Sequence, residues 1–536
     1  MAELPSRRYT RRELLALTGR ITAASALAPA LAFGGEAPAS AAAGVVVGDA
    51  TAAKAGEAML RSGGNAIDAA IAAAFAAGIC TPRNCGVGGY GGHAVIALAD
   101  GRTIAAIDFN STAPSAARPD MFPLDGQHRV IGNVNTFGWL AVGVPGTLAG
   151  LDLALQRFGT RPLRDVLAPA IELAESGRHV AAVKGIDDGS TAAAGLASAQ
   201  HRNRALLGLL RKLAARNSTE SFYRGDLAAT IAAAFQRHGG LVTRADLAAY
   251  RARAVAPLTL EWNGATLHTA PLTATGLLVL QALAALKQLD WSRLPAAEQR
   301  HARLEALRIA WADRFATWGD PDQVDVPVAR YLSSDYTAML AEKVSRAVKT
   351  RQPVPLVVDP SQAGGTTHLS AVDRQGNMIA ITLTHGGSFG AKVVVPELGV
   401  VLGHGMSRFD PRPGLPNSAG PGKRPINNMC PTIVTRAGRP VLAVGGAGGT
   451  RIPNSVFEVL LRTAGRGESL ETALAAPRLH TDGTLKLTLD KRHSAEEEAF
   501  FKAAGYTTTR GASALVSAVT FEPKTGQTRG QSSGGA

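Results

Sequence analysis

From Gly44 onward the apolar positions fall into two textures, one helical and one of short strands, and they meet two-thirds of the way along the chain. In "GGNAIDAAIAAAFAAGI", Asn65 is followed by mostly small and apolar residues, which predicts a capped helix buried on most sides. From about Leu140 to Gln352 the period is mostly that of helices, as in "TLAGLDLALQRFG", "ALLGLLRKLAAR", "LAATIAAAFQRHG" and "LLVLQALAALKQL". The pattern then breaks at "TRQPVPLVVDPSQAGG", whose prolines and paired glycines predict an exposed linker over about 349–365. Beyond it lie short strand-like runs, "THLSAVD", "MIAITLT", "KVVVP", "TIVTR" and "PVLAVGG". Helices followed by strands predict an α+β fold, with helices layered on antiparallel sheets.

The first two strand runs flank "DRQGN", which reads as a hairpin turning near Gln375 and Gly376. Pairing about that turn sets Thr366 opposite Thr384 or His385. A threonine hydroxyl is a poor nucleophile unless a base lies within hydrogen-bond reach. A cut between Gly365 and Thr366 would supply one, because the freed α-amine has a reference pKa of about 7.7–8.0. Gly364 and Gly365 let the backbone bend while Thr366 attacks the carbonyl before it.

The remaining chemistry narrows the picture mainly by exclusion. The 536 residues suggest roughly two to four domains. The net charge of +14 is scattered, with no run of five basic residues, so nucleic acid is not the expected partner. "CGVGGYGG" contains G-x-G-x-x-G at Gly86, Gly88 and Gly91, but a helix pattern precedes it and a strand pattern follows, the reverse of a dinucleotide site. The three cysteines, Cys80, Cys85 and Cys430, are too few for a disulfide scaffold, and no metal-ligand spacing occurs. No metal or organic cofactor is expected. Arg11-Arg12, an apolar stretch and Ala39-Ser40-Ala41 have the layout of a twin-arginine export signal over 1–41. The mature chain is then expected in the periplasm or outside the cell, and away from the membrane after export.

"TTHLSAVDRQGN" resembles the start of the small subunit of the gamma-glutamyltranspeptidases, which are self-cleaving N-terminal-nucleophile (Ntn) hydrolases. "SFG", "GKRPINNMCPTIV" and "GGAGGTRIPN" follow in the family's order, and "GGNAIDAAIAAAFAAGI", "CGVGGYGG" and "STAP" precede it. The resemblance implies a four-layer αββα Ntn sandwich made as a precursor. Cleavage between Gly365 and Thr366 would give a large chain (42–365) and a small catalytic chain (366–536) that stay associated. It implies Thr366 as nucleophile and base, Thr384 as the second threonine bonding to it, and Gly448 and Gly449 as the oxyanion hole.

The specificity residues depart from that pattern. Where the family holds a glutamyl α-carboxylate with arginine, this chain has Asn110. Gly386 stands where an asparagine is expected, and Asn427-Asn428 replace paired serines. Arg408 stands where an acid binds the α-amino group, although guanidinium donates hydrogen bonds only and is always charged. A zwitterionic glutamyl donor is therefore disfavoured and an anionic or neutral amide favoured, with His385, His404 and Arg408 as an anion clamp. Asp410 is the one residue that would restore the missing acid after a local shift.

The expected function is a small-molecule amidohydrolase or acyltransferase working through an acyl ester on Thr366, on a non-glutamyl amide. The resemblance extends to relatives acting on oxamate or on cephalosporin side chains. The alternatives are a genuine gamma-glutamyltransferase (glutathione hydrolase) and a binding protein that has kept the fold without the chemistry. Retention of Thr366, Thr384, Gly448 and Gly449 together argues against the last.

Overall fold

The computed structural model describes residues 43–179, 195–358 and 365–533. The export segment lies outside the described residues, as do residues 359–364 just before the expected cleavage point. Two six-stranded sheets form the centre. The first consists of β1 (Gly44–Val47), β2 (Gly91–Ala97), β3 (Ile104–Asp108), β4 (Arg253–Val255), β7 (Gly365–Asp373) and β8 (Met378–Gly386), in the order β1-β7-β8-β2-β3-β4. The second consists of β5 (Leu258–Trp262), β6 (Ala265–Thr269), β11 (Thr432–Arg436), β12 (Arg439–Ala447), β16 (Leu515–Glu522) and β17 (Gln527–Ser532), in the order β17-β16-β12-β11-β6-β5. Two small sheets lie outside them: β9 (Val394–Val395) with β10 (Val400–Val401), and β13 (Leu479–His480) with β14 (Lys486–Asp490) and β15 (Thr507–Gly511).

Three apolar layers between these elements define the architecture. Ile379, Ile381 and Leu383 of β8 pack with the helices Ala66–Cys80 and Thr147–Phe158 on the outer side of the first sheet. The alternate residues Met378 and Ala380 meet Ile433, Ala443 and Val519 of the second sheet. The second sheet's outer side packs on the helices Gly276–Gln288, Ala296–Thr317 and Arg451–Leu460. Strand alternation alone sorts β8 this way, since successive side chains point to opposite faces. The result is the four-layer αββα sandwich.

The described residues form one compact unit. Length alone suggested two to four domains, but both sheets draw strands from each side of residue 365, so neither half owns a core. The helix Ala66–Cys80 begins as expected, with a capping box between Asn65 and Asp68, and every residue through Ile79 is buried. Asp68 also accepts from the Thr160 N–H (2.9 Å) and the Thr160 hydroxyl (2.6 Å), tying this helix to the next layer.

The glycine-rich turn that follows serves packing. A β-carbon on Gly91 would run into the Phe109 carbonyl, and one on Gly88 into Val400 and Val401. The region expected as linker is ordered further than its composition suggested. The helix Ser334–Thr350 continues to Thr350, and the Val354 N–H donates to Glu305 Oε2 (2.7 Å). Only then does the chain run outward, with Val357 fully exposed.

Candidate active site

Thr366 lies in a β-bulge. Gly365 pairs with Gly386 and Thr367 with Leu383, so one residue of β7, Thr366, opposes two of β8, Thr384 and His385. Bulges of this kind re-aim side chains beside functional sites. Thr366 is half-buried, and Thr384 is buried with its Oγ1 accepting from the Gly386 N–H at 2.7 Å.

The even-numbered positions of both strands face the second sheet, and their chemistry changes along the strands. Val372, Met378 and Ala380 are apolar. His368, Ser370 and Thr382 follow as a buried ladder, with His368 Nδ1 2.8 Å from Thr382 Oγ1 and Nε2 2.9 Å from Ser370 Oγ. Thr366 and Thr384 stand at the polar end.

The facing strand brings the glycine pair to that same end. A β-carbon on Gly445 of β12 would strike the His368 ring, Ser370 Oγ donates to the Ser517 carbonyl (3.4 Å), and Gly376 abuts Phe521. In register, Ser517 lies beside Gly445 and Thr520 beside Leu442. β7 and β12 thus run oppositely across the interface, and stepping back from His368 to Thr366 leads toward Gly448 and Gly449. These glycines have φ of 145° and 65° and precede the helix Arg451–Leu460, which uses their carbonyls as acceptors for its first N–H groups. A helix N-terminus favours negative charge nearby.

The structure separates the expected binding residues. Asn110 is fully buried, its amide donating to Thr273 Oγ1 (2.7 Å) and the Pro425 carbonyl (2.6 Å). Asn427 is also fully buried, 2.7 Å from His93 Nε2 and accepting from the Met429 N–H. Both tie the two sheets together, and, like Thr366, Thr384, Gly448 and Gly449, neither is among the described residues lining the neighbouring cavity. Asn428 keeps a buried Oδ1 without a protein partner.

Asp410 is occupied. Arg412 binds it through Nε (2.9 Å), Nη2 (2.7 Å) and its own backbone N–H. Arg408 is buried, donates to the Gly386 carbonyl (3.2 Å), and bears electrostatically on a second buried arginine, Arg314. Burial pushes Arg314 down to about 9, with Arg408 adding to the effect. Sequence reading missed Arg314 because it comes from the distant helix Ala296–Thr317, where it reads as one more polar helix position.

A cavity of about 800 Å³ opens beside Arg408, lined also by His404, Ser407, Ser388, Lys392 and Arg83, and no Asp or Glu is among its described lining residues. His385 does not line it, and burial pushes His385 down to about 4 and His404 to about 3. Burial thus disfavours the charged form of both imidazoles, and of the three residues expected as an anion clamp His404 and Arg408 line the cavity. His93 and His480, at about 4, and His368, at about 3, are lowered by burial in the same way.

These five histidines give a pH dependence. The unfolded chain protonates them near pH 6.5, whereas the folded chain does so only near 3–4. Their stabilising contribution is whole above about pH 6.5. It is lost as pH falls toward 4, by up to about 1.4 kcal/mol per pH unit and group. The unfolding midpoint is expected to drop on acidification through this window. A midpoint that stays level from pH 7 to 4.5 would mean that the rings are solvated.

The strand pairing, the self-facing sheets and the threonine at a strand start define an amidohydrolase of the N-terminal-nucleophile class. Comparison with known proteins narrows it: residues 52–185 and 188–533 match the gamma-glutamyltranspeptidase family, and the chain belongs to it. It is 34% identical over 471 residues to the glutathione hydrolase proenzyme of Pseudomonas sp. (strain A14), covering 81% of each chain. It is equally 34% identical over 467 residues to the acylase ACY 1 proenzyme of Pseudomonas sp. (strain V22), covering 82% of each. A crystal structure of cephalosporin acylase from Bacillus halodurans superposes with a TM-score of 0.76 at 25% identity, over 91% of this chain and 93% of that one.

Proposed function

We propose that the chain is a self-processing N-terminal threonine amidohydrolase whose acyl group ends in a carboxylate and is not γ-glutamyl. Thr366 Oγ1 attacks the Gly365 carbonyl, the C–N bond breaks as the acyl group shifts to the oxygen and frees the α-amine, and water hydrolyses the ester to give the Gly365 carboxylate and the free Thr366 hydroxyl. The same hydroxyl, with that amine as base, then attacks the substrate amide. Thr384 orients the nucleophile, and the N–H groups of Gly448 and Gly449 stabilise the oxyanion. The leaving amine takes a proton from the α-ammonium, and water hydrolyses the ester on Thr366. The large chain ending at Gly365 and the small chain 366–536 remain joined, because β7 pairs with β1 and β8 with β2 across the cut. The Arg11-Arg12 leader supports export of the precursor. Among the described residues no helix is long and apolar enough to cross a membrane.

One observation carries the acyl preference: a buried arginine occupies the place where an α-ammonium needs an acid, and the nearest candidate acid, Asp410, is held by Arg412. A bound ammonium would meet like charge, whereas a carboxylate gains a charge-assisted pair with Arg408. Glutaryl-p-nitroanilide is γ-glutamyl-p-nitroanilide without its α-amino group, and it keeps the terminal carboxylate. The mature enzyme is expected to turn over the glutaryl amide with the higher kcat/KM. Arg408→Met is expected to lower that value about 10- to 100-fold, the worth of one charged hydrogen-bonded contact. Faster turnover of the γ-glutamyl amide would make the chain a glutathione-hydrolase-like transferase instead.

A further inference from the structure

We propose that the mouth of the cleft is a second anion subsite, built by Arg83 and Lys392, for a carboxylate carried by the leaving amine. It rests on the acyl reading above only in taking the inner end of the cleft for the acyl group. About 800 Å³ is far more than a short acyl chain fills, and pockets of this size enclose whole drug-sized ligands. The room toward Arg83 and Lys392 is therefore assigned to the other half of the amide.

The cations of this cleft lie at two depths. Arg408 is buried, whereas Arg83 is exposed and Lys392 half-buried. Arg129 also lines the mouth but is already matched by Asp125 at 2.9 Å. Arg83 and Lys392 are mounted differently. Arg83 Nε donates to Ser388 Oγ (3.3 Å) and its guanidinium lies 6.0 Å from the Phe389 ring centroid. Lys392 Nζ sits 4.4 Å from the Phe137 ring centroid. Among the described residues neither is paired with a carboxylate. A ring face steadies a cation without using up its N–H donors, which stay available to a ligand.

Their scaffold is fixed. The Phe389 N–H donates to the Arg83 carbonyl (2.8 Å) and the Gly138 N–H to the Ala391 carbonyl (2.9 Å). Phe389 and Lys392 are both held at left-handed φ, 59° and 58°, a conformation costly for bulky residues and found where surroundings impose it. The segment begins at the end of β8: Gly386 pairs with Gly365, and the next residue, Gly387, lines the cavity, which sets Arg83 and Lys392 on the side of the cavity assigned to the leaving amine. A carboxylate on that amine meets two preorganised cations and no competing acid.

Two matched amines test this: 4-aminobenzoate and its neutral isostere 4-aminobenzamide. Calorimetry on the mature enzyme is expected to show the free benzoate binding about 10-fold tighter or more at low salt. The difference should vanish in Arg83→Ala/Lys392→Ala, persist in Arg83→Lys/Lys392→Arg, and shrink as salt screens the exposed charges. The kcat/KM ratio between the glutaryl amides of the two amines should follow the same order, and as a ratio it cancels losses common to both. Equal binding of the two amines to wild type, or an unchanged difference in the alanine double variant, overturns the subsite even where glutaryl amides are good substrates. Tighter binding of the benzoate without turnover of either glutaryl amide keeps the subsite and rejects the acyl reading instead.

Discussion

Thr366→Ala is expected to leave the chain uncut at Gly365 and to reduce amide turnover by on the order of 10⁴-fold or more. Both losses have one cause. The alanine has no hydroxyl to attack the preceding carbonyl, so the α-amine stays locked in a peptide bond and the substrate meets neither nucleophile nor base. Thr366→Ser keeps the hydroxyl and is expected to process itself and turn over substrate, more slowly than wild type. Thr366 is half-buried at the polar end of the inter-sheet layer, so its truncation should leave the unfolding midpoint near that of the wild-type precursor. Intact mass and a p-nitroanilide assay on both variants read out the two losses. Processing that continues in the alanine variant would assign the nucleophile elsewhere.

Gly448→Ala is the second large effect, acting on the transition state. At φ 145°, a β-carbon on Gly448 would stand 3.0 Å from both Cα and Cβ of Ala514, a contact with backbone that cannot swing aside. The turn must move, and its N–H groups move with it. Losing one oxyanion donor typically raises the barrier by about 2.7–4 kcal/mol, or 10²–10³ in kcat. The donor acts on charge that develops only in the transition state, so KM is expected to change little. Steady-state kinetics on the processed variant separate the two constants. A raised KM with kcat intact would make the glycine turn a ground-state binding element.

The parts of this site that were legible in the sequence are those set by local geometry. Turn chemistry at Gln375 and Gly376 fixed which positions of β7 and β8 meet, and so brought Thr366 to Thr384. Capping at Asn65 and a mostly small, apolar run gave the buried helix beneath them. The bulge was not legible, because it depends on how Gly365 and Gly386 pair rather than on their identities.

Electrostatics were the least readable part. His385 and His404 look like cations in a sequence, but burial keeps them neutral. Asp410 looks like a spare acid, but Arg412 curls back on it two residues later. Asn110 and Asn427 read as candidate binding residues in the sequence, and their contacts with Thr273, Pro425 and His93, all distant in sequence, could not be read there. Arg83, Phe137 and Lys392 are scattered over more than 300 positions, and only the fold gathers them.

The most direct test is the mass of the acyl-enzyme. Mature protein is mixed briefly with glutaryl-p-nitroanilide, quenched in acid and weighed intact. The account requires a small chain beginning at Thr366 that carries one glutaryl group, which proteolysis then locates on the Thr366 side chain. A protein that remains one uncut chain, or a glutaryl adduct on any other residue, would contradict it.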